Sequence, residues 1–391
     1  MLRQIEGSEA VADAVALCRP NVISAYPITP QTHIVENLAS LVAKGKLKAE
    51  FVNVESEFAA ASVVLGASAA GARAYTATTS QGLLLMTEVL YCIAGMRLPI
   101  VLTCANRAIS APLNIWNDQQ DSMSVRDAGW LQLYAEDNQE AADLHLQAFK
   151  IAEETFLPVM VCMDGFILTH AFEPVDVPDQ KEVDGFLPAF KPRHIVDPRW
   201  PRGVGLYADP RFYMETRYIL HRALEKSEET IAQTSADFAR AFGRQSGGLY
   251  KTYKTKDADT VIVAMGSVVG SIKELIDRFE QEGRRVGLLQ ICSFRPFPRR
   301  AVYEELKDKP NIIVLEKAIS LGRGGILASD VRWSFPRAEQ ARRYISSFVA
   351  GLGGRNISLD DLRYMVERAE KEPVEFEFLG LRKEIIGDKD L

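Results

Sequence analysis

Val22-Ile23-Ser24-Ala25-Tyr26-Pro27-Ile28-Thr29-Pro30-Gln31-Thr32 is an apolar, β-rich run, stopped by one proline and followed by a helical pattern. Val22–Tyr26 reads as a short buried strand. Thr29-Pro30 offers a capping side chain and then a proline for a first helical turn. A helix is therefore expected from about Gln31 to Ala43. The same order recurs downstream. Phe51–Val54, Ala74–Thr78, Pro99–Cys104, Trp130–Tyr134 and Val159–Met163 are further strand candidates. Helical patterns run from about Glu57 to Ala70, from Thr79-Ser80-Gln81-Gly82 to about Ala94, and from about Asn138 to Glu154. Strands alternating with helices predict an α/β fold built on a doubly wound parallel sheet.

Between Phe172 and Pro210 the alternation stops. Pro174, Pro178, Pro188, Pro192, Pro198, Pro201 and Pro210 leave no room for a regular element, yet the stretch is too apolar for a free linker. An extended arm is expected, lying on a partner subunit or packed on its own chain. A helix from about Phe212 to Phe242 follows. A second α/β unit begins near Asp257, with strands expected at Thr260–Met265, Val286–Gln290, Asn311–Leu315 and Ser346–Ala350. It carries a glycine loop, Gly322-Arg323-Gly324-Gly325. The expected organisation is residues 1–171, a connecting arm and helix at 172–256, and a second domain at 257–391.

Composition removes several functions. Lys and Arg total 46 against 52 Asp and Glu, a net charge of −6, so no basic field points to nucleic acid. No apolar run reaches the roughly 18–20 residues of a membrane span. Cys18, Cys92, Cys104, Cys162 and Cys292 are widely spaced with no Cys-x-x-Cys. That pattern argues against a disulfide scaffold, a zinc site of usual spacing and an iron–sulfur cluster of the chain's own; it fits a reducing cytoplasm. No P-loop, no Gly-x-Gly-x-x-Gly after the first strand and no Gly-x-Ser-x-Gly elbow is present. His33, His145, His170, His194 and His221 are scattered, with no His-Glu-x-x-His, and are expected to be core or surface residues.

Ligands of open parallel sheets bind beyond the carboxyl ends of strands. Four segments fall there: Tyr26-Pro27-Ile28-Thr29-Pro30, Glu55-Ser56-Glu57, Thr78-Thr79-Ser80-Gln81-Gly82, and Asn106-Arg107 with the loop after it. Each has a plain structural reading. Thr29 and Ser80 can be helix caps. Glu57 can complement a helix dipole. Arg107 can form a structural ion pair as readily as a ligand contact. Their joint position at one sheet edge is what points to a site.

These residues resemble a known family. Tyr26-Pro27-Ile28-Thr29-Pro30-Gln31-Thr32, Glu55-Ser56-Glu57, Gly66-Ala67-Ser68-Ala69-Ala70-Gly71-Ala72-Arg73 and Thr79-Ser80-Gln81-Gly82 are similar to the α subunit of 2-oxoacid:ferredoxin oxidoreductases, nearest the pyruvate-oxidising branch. Ala105-Asn106-Arg107, Asn117 to Ser122, Phe294-Arg295-Pro296-Phe297-Pro298 and Ala350-Gly351-Leu352-Gly353-Gly354 extend the similarity over nearly the whole chain.

The resemblance implies a thiamine-diphosphate pyrimidine-binding domain followed by a transketolase C-terminal-like domain. It gives Glu57, in preference to Glu55, the contact with N1′ of the aminopyrimidine. A carboxyl that donates there must carry a proton, which calls for a dry site. Pro27, Thr29, Ser80 and Gln81 would also line the cofactor. Thr29 and Arg107 would bind the 2-oxoacid, because a guanidinium fork suits a carboxylate. Leu113, Ile115 and Trp116 would wall the acyl pocket. The implied reaction is oxidative decarboxylation of pyruvate to acetyl-coenzyme A and carbon dioxide with reduction of ferredoxin, or its reverse. The same chemistry on 2-oxoisovalerate, phenylglyoxylate, 2-oxoglutarate or oxalate stays open, as does a non-catalytic scaffold. The Gly-Asp-Gly…Asn pattern that holds the diphosphate through Mg²⁺ is missing; the only Gly-Asp, Gly387-Asp388, precedes Lys389. The resemblance therefore implies a β subunit carrying Mg²⁺ and the diphosphate, with γ and δ subunits completing the assembly and 4Fe–4S clusters on the partners.

Overall fold

The apolar runs of the first half lie side by side as buried parallel strands. The computed structural model describes residues 2–193, 195–201, 203–340 and 344–387. His194, Asp388 and Lys389 lie outside the described residues. After β1 (Leu2–Glu6), the main sheet uses β2 (Val22–Ser24), β3 (Glu50–Val52), β4 (Ala74–Thr78), β5 (Val101–Asn106), β6 (Leu131–Tyr134) and β7 (Val159–Asp164). Their order is β6-β7-β5-β4-β2-β3, with every adjacent pair parallel. Residues of β4, β5, β6 and β7 are buried throughout. A strand covered on both faces has no solvent side to alternate with, so these runs are mostly apolar, with buried Thr76, Thr103 and Gln132 among them.

The chain goes from β2 outward to β3, then returns to the other side of β2 as β4. The order reverses between β2 and β4, and a crevice opens beyond their carboxyl ends at such a switch. Helices Thr32–Ala43, Glu57–Ala69 and Ser80–Leu85 follow β2, β3 and β4 in turn. Glu57–Ala69 is rich in Ala and buries Ala60, Ala61, Val64, Ser68 and Ala69. Small side chains let it pack closely on the sheet.

The proline-rich stretch differs from expectation. β8 (Phe172–Asp176) pairs antiparallel with β1, with Pro174 opposite Gln4. Proline is tolerated because this ribbon has only two strands and needs no donor there. A helix, Gln180–Phe186, starts at a capping box made by Asp179 and Glu182. The arm beyond it packs on its own chain: Arg73 Nη2 donates to Pro188 O (2.9 Å) and Val196 N donates to Ala69 O (2.8 Å). Helix Tyr213–Phe242 follows. The arm and this helix cluster with the first unit, which runs to Tyr250 and takes in Cys292–Pro298.

The second unit comprises Lys251–Ile291 and the chain from Arg299 onward. β9 (Tyr250–Tyr253), β10 (Thr260–Ala264) and β11 (Val286–Ile291) precede β12 (Ser293–Arg295), which joins the first sheet antiparallel to β6. With β13 (Asn311–Glu316), β14 (Ile345–Val349) and β15 (Glu377–Phe378), the second sheet has the order β15-β14-β13-β10-β11-β9. Its core gathers Ile262, Ile272, Phe279, Leu288, Phe348 and Val366. Glu316, at the end of β13, accepts the N–H groups of Ile326, Leu327 and Ala328 and so anchors the glycine loop. Burial pushes its carboxyl up to about 7, against those three donors.

Candidate active site

The loop after β2 does not enter its helix as the sequence suggests. The helix starts at Thr32, its N-cap position is Gln31, and Thr29-Pro30 is a cis peptide before it. Thr29 is therefore no helix cap. It is exposed, and its hydroxyl makes no hydrogen bond among the described residues. Gln31 is fully buried; its Nε2 donates to Ala77 O (2.8 Å), which ties the loop to β4. Gly165 closes the floor, since a Cβ there would sit 2.5 Å from Pro30 Cγ. Tyr26 and Pro27 face outward.

Glu57 opens the helix after β3, where Ser56 caps by accepting from Ala59 N. Only 7% of Glu57 is exposed, yet it makes no hydrogen bond or ion pair among the described residues. A carboxyl so placed wants a partner. Gly82 makes room for it: a Cβ there would lie 2.6 Å from Glu57 Oε1 and 2.5 Å from Thr78 Oγ1. Gln81 Nε2, next to it, is a buried donor without a partner.

Ser80 is not a cap either. It is the first residue of its helix, holds φ +49°, and is fully buried. Its hydroxyl donates to Ala108 O (2.5 Å), while its N–H goes to Asp121 Oδ2 (2.9 Å). Asp121 also accepts from Arg107 N (3.0 Å), Ser122 N (2.8 Å) and Asn106 Nδ2 (2.8 Å). Burial pushes its carboxyl above the usual range, and these donors oppose that shift. One carboxylate thus pins the turns after β4 and β5.

Arg107 is 6% exposed. Its Nη1 donates to Thr29 O (2.9 Å) and its Nε to Asn114 O (3.0 Å). Nη2 makes no hydrogen bond among the described residues. Burial lowers its pKa, opposed by Asp121, and the guanidinium stays charged at neutral pH. Asn114 belongs to the loop 108–119, which Ala108 N also fixes by donating to Trp116 O (3.0 Å). On that loop Leu113 is 78% exposed, Ile115 38% and Trp116 53%.

Contacts thus run from Glu57 to Gly82, through Ser80 and Asp121 to Arg107, and on to the Thr29 backbone. Gln31, Gly82, Asn106 and Asp121 lie within the quoted motifs, but the sequence assigns none of them a role of its own in this site. Only Gly82 had a signal of its own, a glycine inside a helical turn. The fit to a flat heterocycle is good: a nearly buried carboxyl and a buried amide donor both lack partners, and the glycine beside them leaves a space that a side chain would fill. Glu57 and Gln81 would hold the ring.

A family model described as pyruvate flavodoxin/ferredoxin oxidoreductase, thiamine diphosphate-binding, matches residues 13–236. A second, the pyruvate:ferredoxin oxidoreductase core domain II, matches 258–362. Pyruvate synthase subunit PorA of Methanosarcina barkeri is 46% identical over 391 aligned residues, covering 98% of this chain and 97% of that protein. The chain belongs to the pyruvate:ferredoxin oxidoreductase family. Ketoisovalerate oxidoreductase subunit VorA of Pyrococcus abyssi is 41% identical, covering 94% of this chain and 93% of that one. Among solved structures, a 2-oxoglutarate:ferredoxin oxidoreductase from Magnetococcus marinus superposes with a TM-score of 0.74 at 20% identity. The superposition covers 95% of this chain and 65% of that one. At that identity the likeness speaks for the fold. No described helix is long and apolar enough to cross a membrane.

Proposed function

We propose that this chain is the α subunit of a coenzyme A-acylating pyruvate:ferredoxin oxidoreductase that completes a thiamine-diphosphate site together with a β subunit. The observation that carries this reading is Glu57, nearly buried and unpartnered beside Gly82. When bound, thiamine diphosphate supplies the nucleophilic carbon and electron sink that 2-oxoacid decarboxylation requires. Glu57 holds a proton against the ring nitrogen, and its dry surroundings keep water from competing. Ser80 and Gln81 shape the adjacent wall, with Pro27 at the outer rim.

The free Nη2 of Arg107 receives the substrate carboxylate while Nη1 and Nε stay fixed on Thr29 O and Asn114 O. A guanidinium already held by two backbone carbonyls loses little freedom on binding. The Thr29 hydroxyl donates to a substrate oxygen. Leu113, Ile115 and Trp116 bound the acyl group, and their open side suits a surface completed by another subunit. Tyr26, next to Pro27, and Phe58, next to Glu57, are also large side chains left 38% and 41% exposed. The β subunit carries Mg²⁺ and the diphosphate; γ and δ subunits with 4Fe–4S clusters lead electrons to ferredoxin. The five free thiols suit a reducing cytoplasm.

Pyruvate is favoured because the relative sharing 46% identity bears that name. Coenzyme A-dependent ferredoxin reduction by the assembled complex should be fastest with pyruvate. Faster turnover with 2-oxoisovalerate would move the assignment to the branched acids. Glu57→Gln should lower turnover on the order of 10²-fold; unchanged turnover would leave this chain a scaffold.

A further inference from the structure

We propose that Glu6, His33 and His170 bind one divalent transition-metal ion of the zinc class, which clamps the loop carrying Thr29. One nitrogen of each imidazole and a carboxylate oxygen of Glu6 lie within 4.8 Å of one another. Two imidazoles and a carboxylate are a recurrent zinc donor set, with water filling the remaining position.

Three separate segments supply the donors. Glu6 ends β1 at the N-cap position of helix Gly7–Leu17, yet its side chain does not cap that helix. It turns instead to His33 Nδ1, 2.8 Å away. An ion pair accounts for these two residues but not for His170. That ring lies 4.7 Å from His33, centroid to centroid, and its Nδ1 is 2.7 Å from Thr169 Oγ1. Thr169 is fully buried and its Oγ1 accepts from Phe166 N (2.8 Å). With Nδ1–H donating to this fixed oxygen, Nε2 keeps its lone pair. A second-shell hydrogen bond of this kind orients metal-binding histidines.

Ligands of a tetrahedral ion with bonds near 2.1 Å stand about 3.4 Å apart, so the widest pair must close by about 1.4 Å. The side chains can do so: His33 is 46% exposed and Glu6 17%. The position explains a use. His33 is the second residue of the helix that follows Thr29-Pro30-Gln31, and His170 follows the Gly165 turn that packs under Pro30. A ring ladder of Trp116, Phe166, His170 and His33, with spacings of 4.6, 4.8 and 4.7 Å, joins the same cluster to the loop 108–119. An ion here would fasten both substrate-side loops to β1. The inference does not depend on the role given to Glu57.

The test uses the full chain, treated with chelator, desalted and titrated with Zn²⁺ alone by calorimetry. One ion per chain is expected. Glu6→Gln, His33→Gln and His170→Gln should each weaken binding by roughly tenfold or more. Circular dichroism checks that each variant is folded. Co²⁺ added to the unaltered chain should give the intense visible bands of a low-coordinate site, which decides the matter even if a variant unfolds. No Zn²⁺ binding, equal binding by folded variants, or a weak six-coordinate Co²⁺ spectrum would each overturn the proposal and leave an ion pair only.

Discussion

Replacing Asp121 by Asn tests whether one buried carboxylate holds the site together. Oδ2 accepts from Ser80 N and Arg107 N; Oδ1 accepts from Ser122 N and Asn106 Nδ2. An asparagine has one acceptor oxygen. Its best orientation aims that oxygen at Ser80 and Arg107 and its amide at the other pair. Asn106 can then flip, because its own Oδ1 is a buried acceptor without a partner. Ser122 N–H cannot adapt and is left facing another N–H. A buried orphan donor costs about 1–3 kcal/mol, and the bonds kept at Ser80 and Arg107 lose their charge assistance, about 1 kcal/mol each. Relief from burying a charge offsets part of this. The net loss is about 2–3 kcal/mol, a fall in melting temperature of roughly 4–6 °C for a unit of this size. The turn presenting Arg107 also loosens, so KM for the 2-oxoacid should rise about threefold to tenfold while Asp121 itself touches no substrate. Melting by differential scanning calorimetry and steady-state kinetics of the complex check both. A melting point within 1 °C of the parent together with an unchanged KM would refute the reasoning.

Arg107→Lys removes the fork held by Thr29 O and Asn114 O; KM for pyruvate should rise about tenfold to a hundredfold, and an unchanged KM would remove Arg107 from the substrate. Gly82→Ala puts a Cβ 2.6 Å from Glu57 Oε1, so turnover should fall at least tenfold while the chain loses about 1–3 kcal/mol of stability; full activity would separate Glu57 from the reaction. His145 is buried between Thr103 Oγ1 and Ala141 O, and burial lowers its pKa from 6.5 to about 4. The unfolded chain then binds more protons in that window, so stability is whole above pH 6.5 and is lost as pH falls toward 4. The loss is about 3 kcal/mol beyond that of His145→Gln in denaturant titrations, and parallel pH profiles for the two proteins would contradict it.

The parts of the fold legible in the sequence were those where burial is symmetric. Ala74–Thr78 and Val159–Asp164 are covered on both faces, so runs of apolar and β-prone residues without in–out alternation marked them. The β1–β8 ribbon escaped notice because Leu2-Arg3-Gln4-Ile5-Glu6 is half polar and Pro174 argued against a strand. At the site, strand ends located Thr29, Glu57, Ser80 and Arg107 without knowledge of their contacts. The capping expectation for Thr29 and Ser80 failed because Gln31 takes the N-cap position before one helix, and Ser80, at φ +49°, is already the first residue of the other. Asp121 and Gln31 were hidden for a different reason. Gln31 reaches Ala77 O and Asp121 reaches Ser80 N, 46 and 41 residues away, and Asp121 also gathers Arg107 N and Asn106 Nδ2, 14 and 15 residues away, which no local pattern records.

The central claim rests on the surroundings of a single carboxyl group. A crystal or cryo-electron-microscopy structure of the assembled complex with thiamine diphosphate bound would measure the distance from the Glu57 oxygens to the pyrimidine N1′. The account predicts a hydrogen bond of about 2.6–3.2 Å. A ring seated elsewhere, or a Glu57 side chain paired with a partner residue or turned into water, would contradict it.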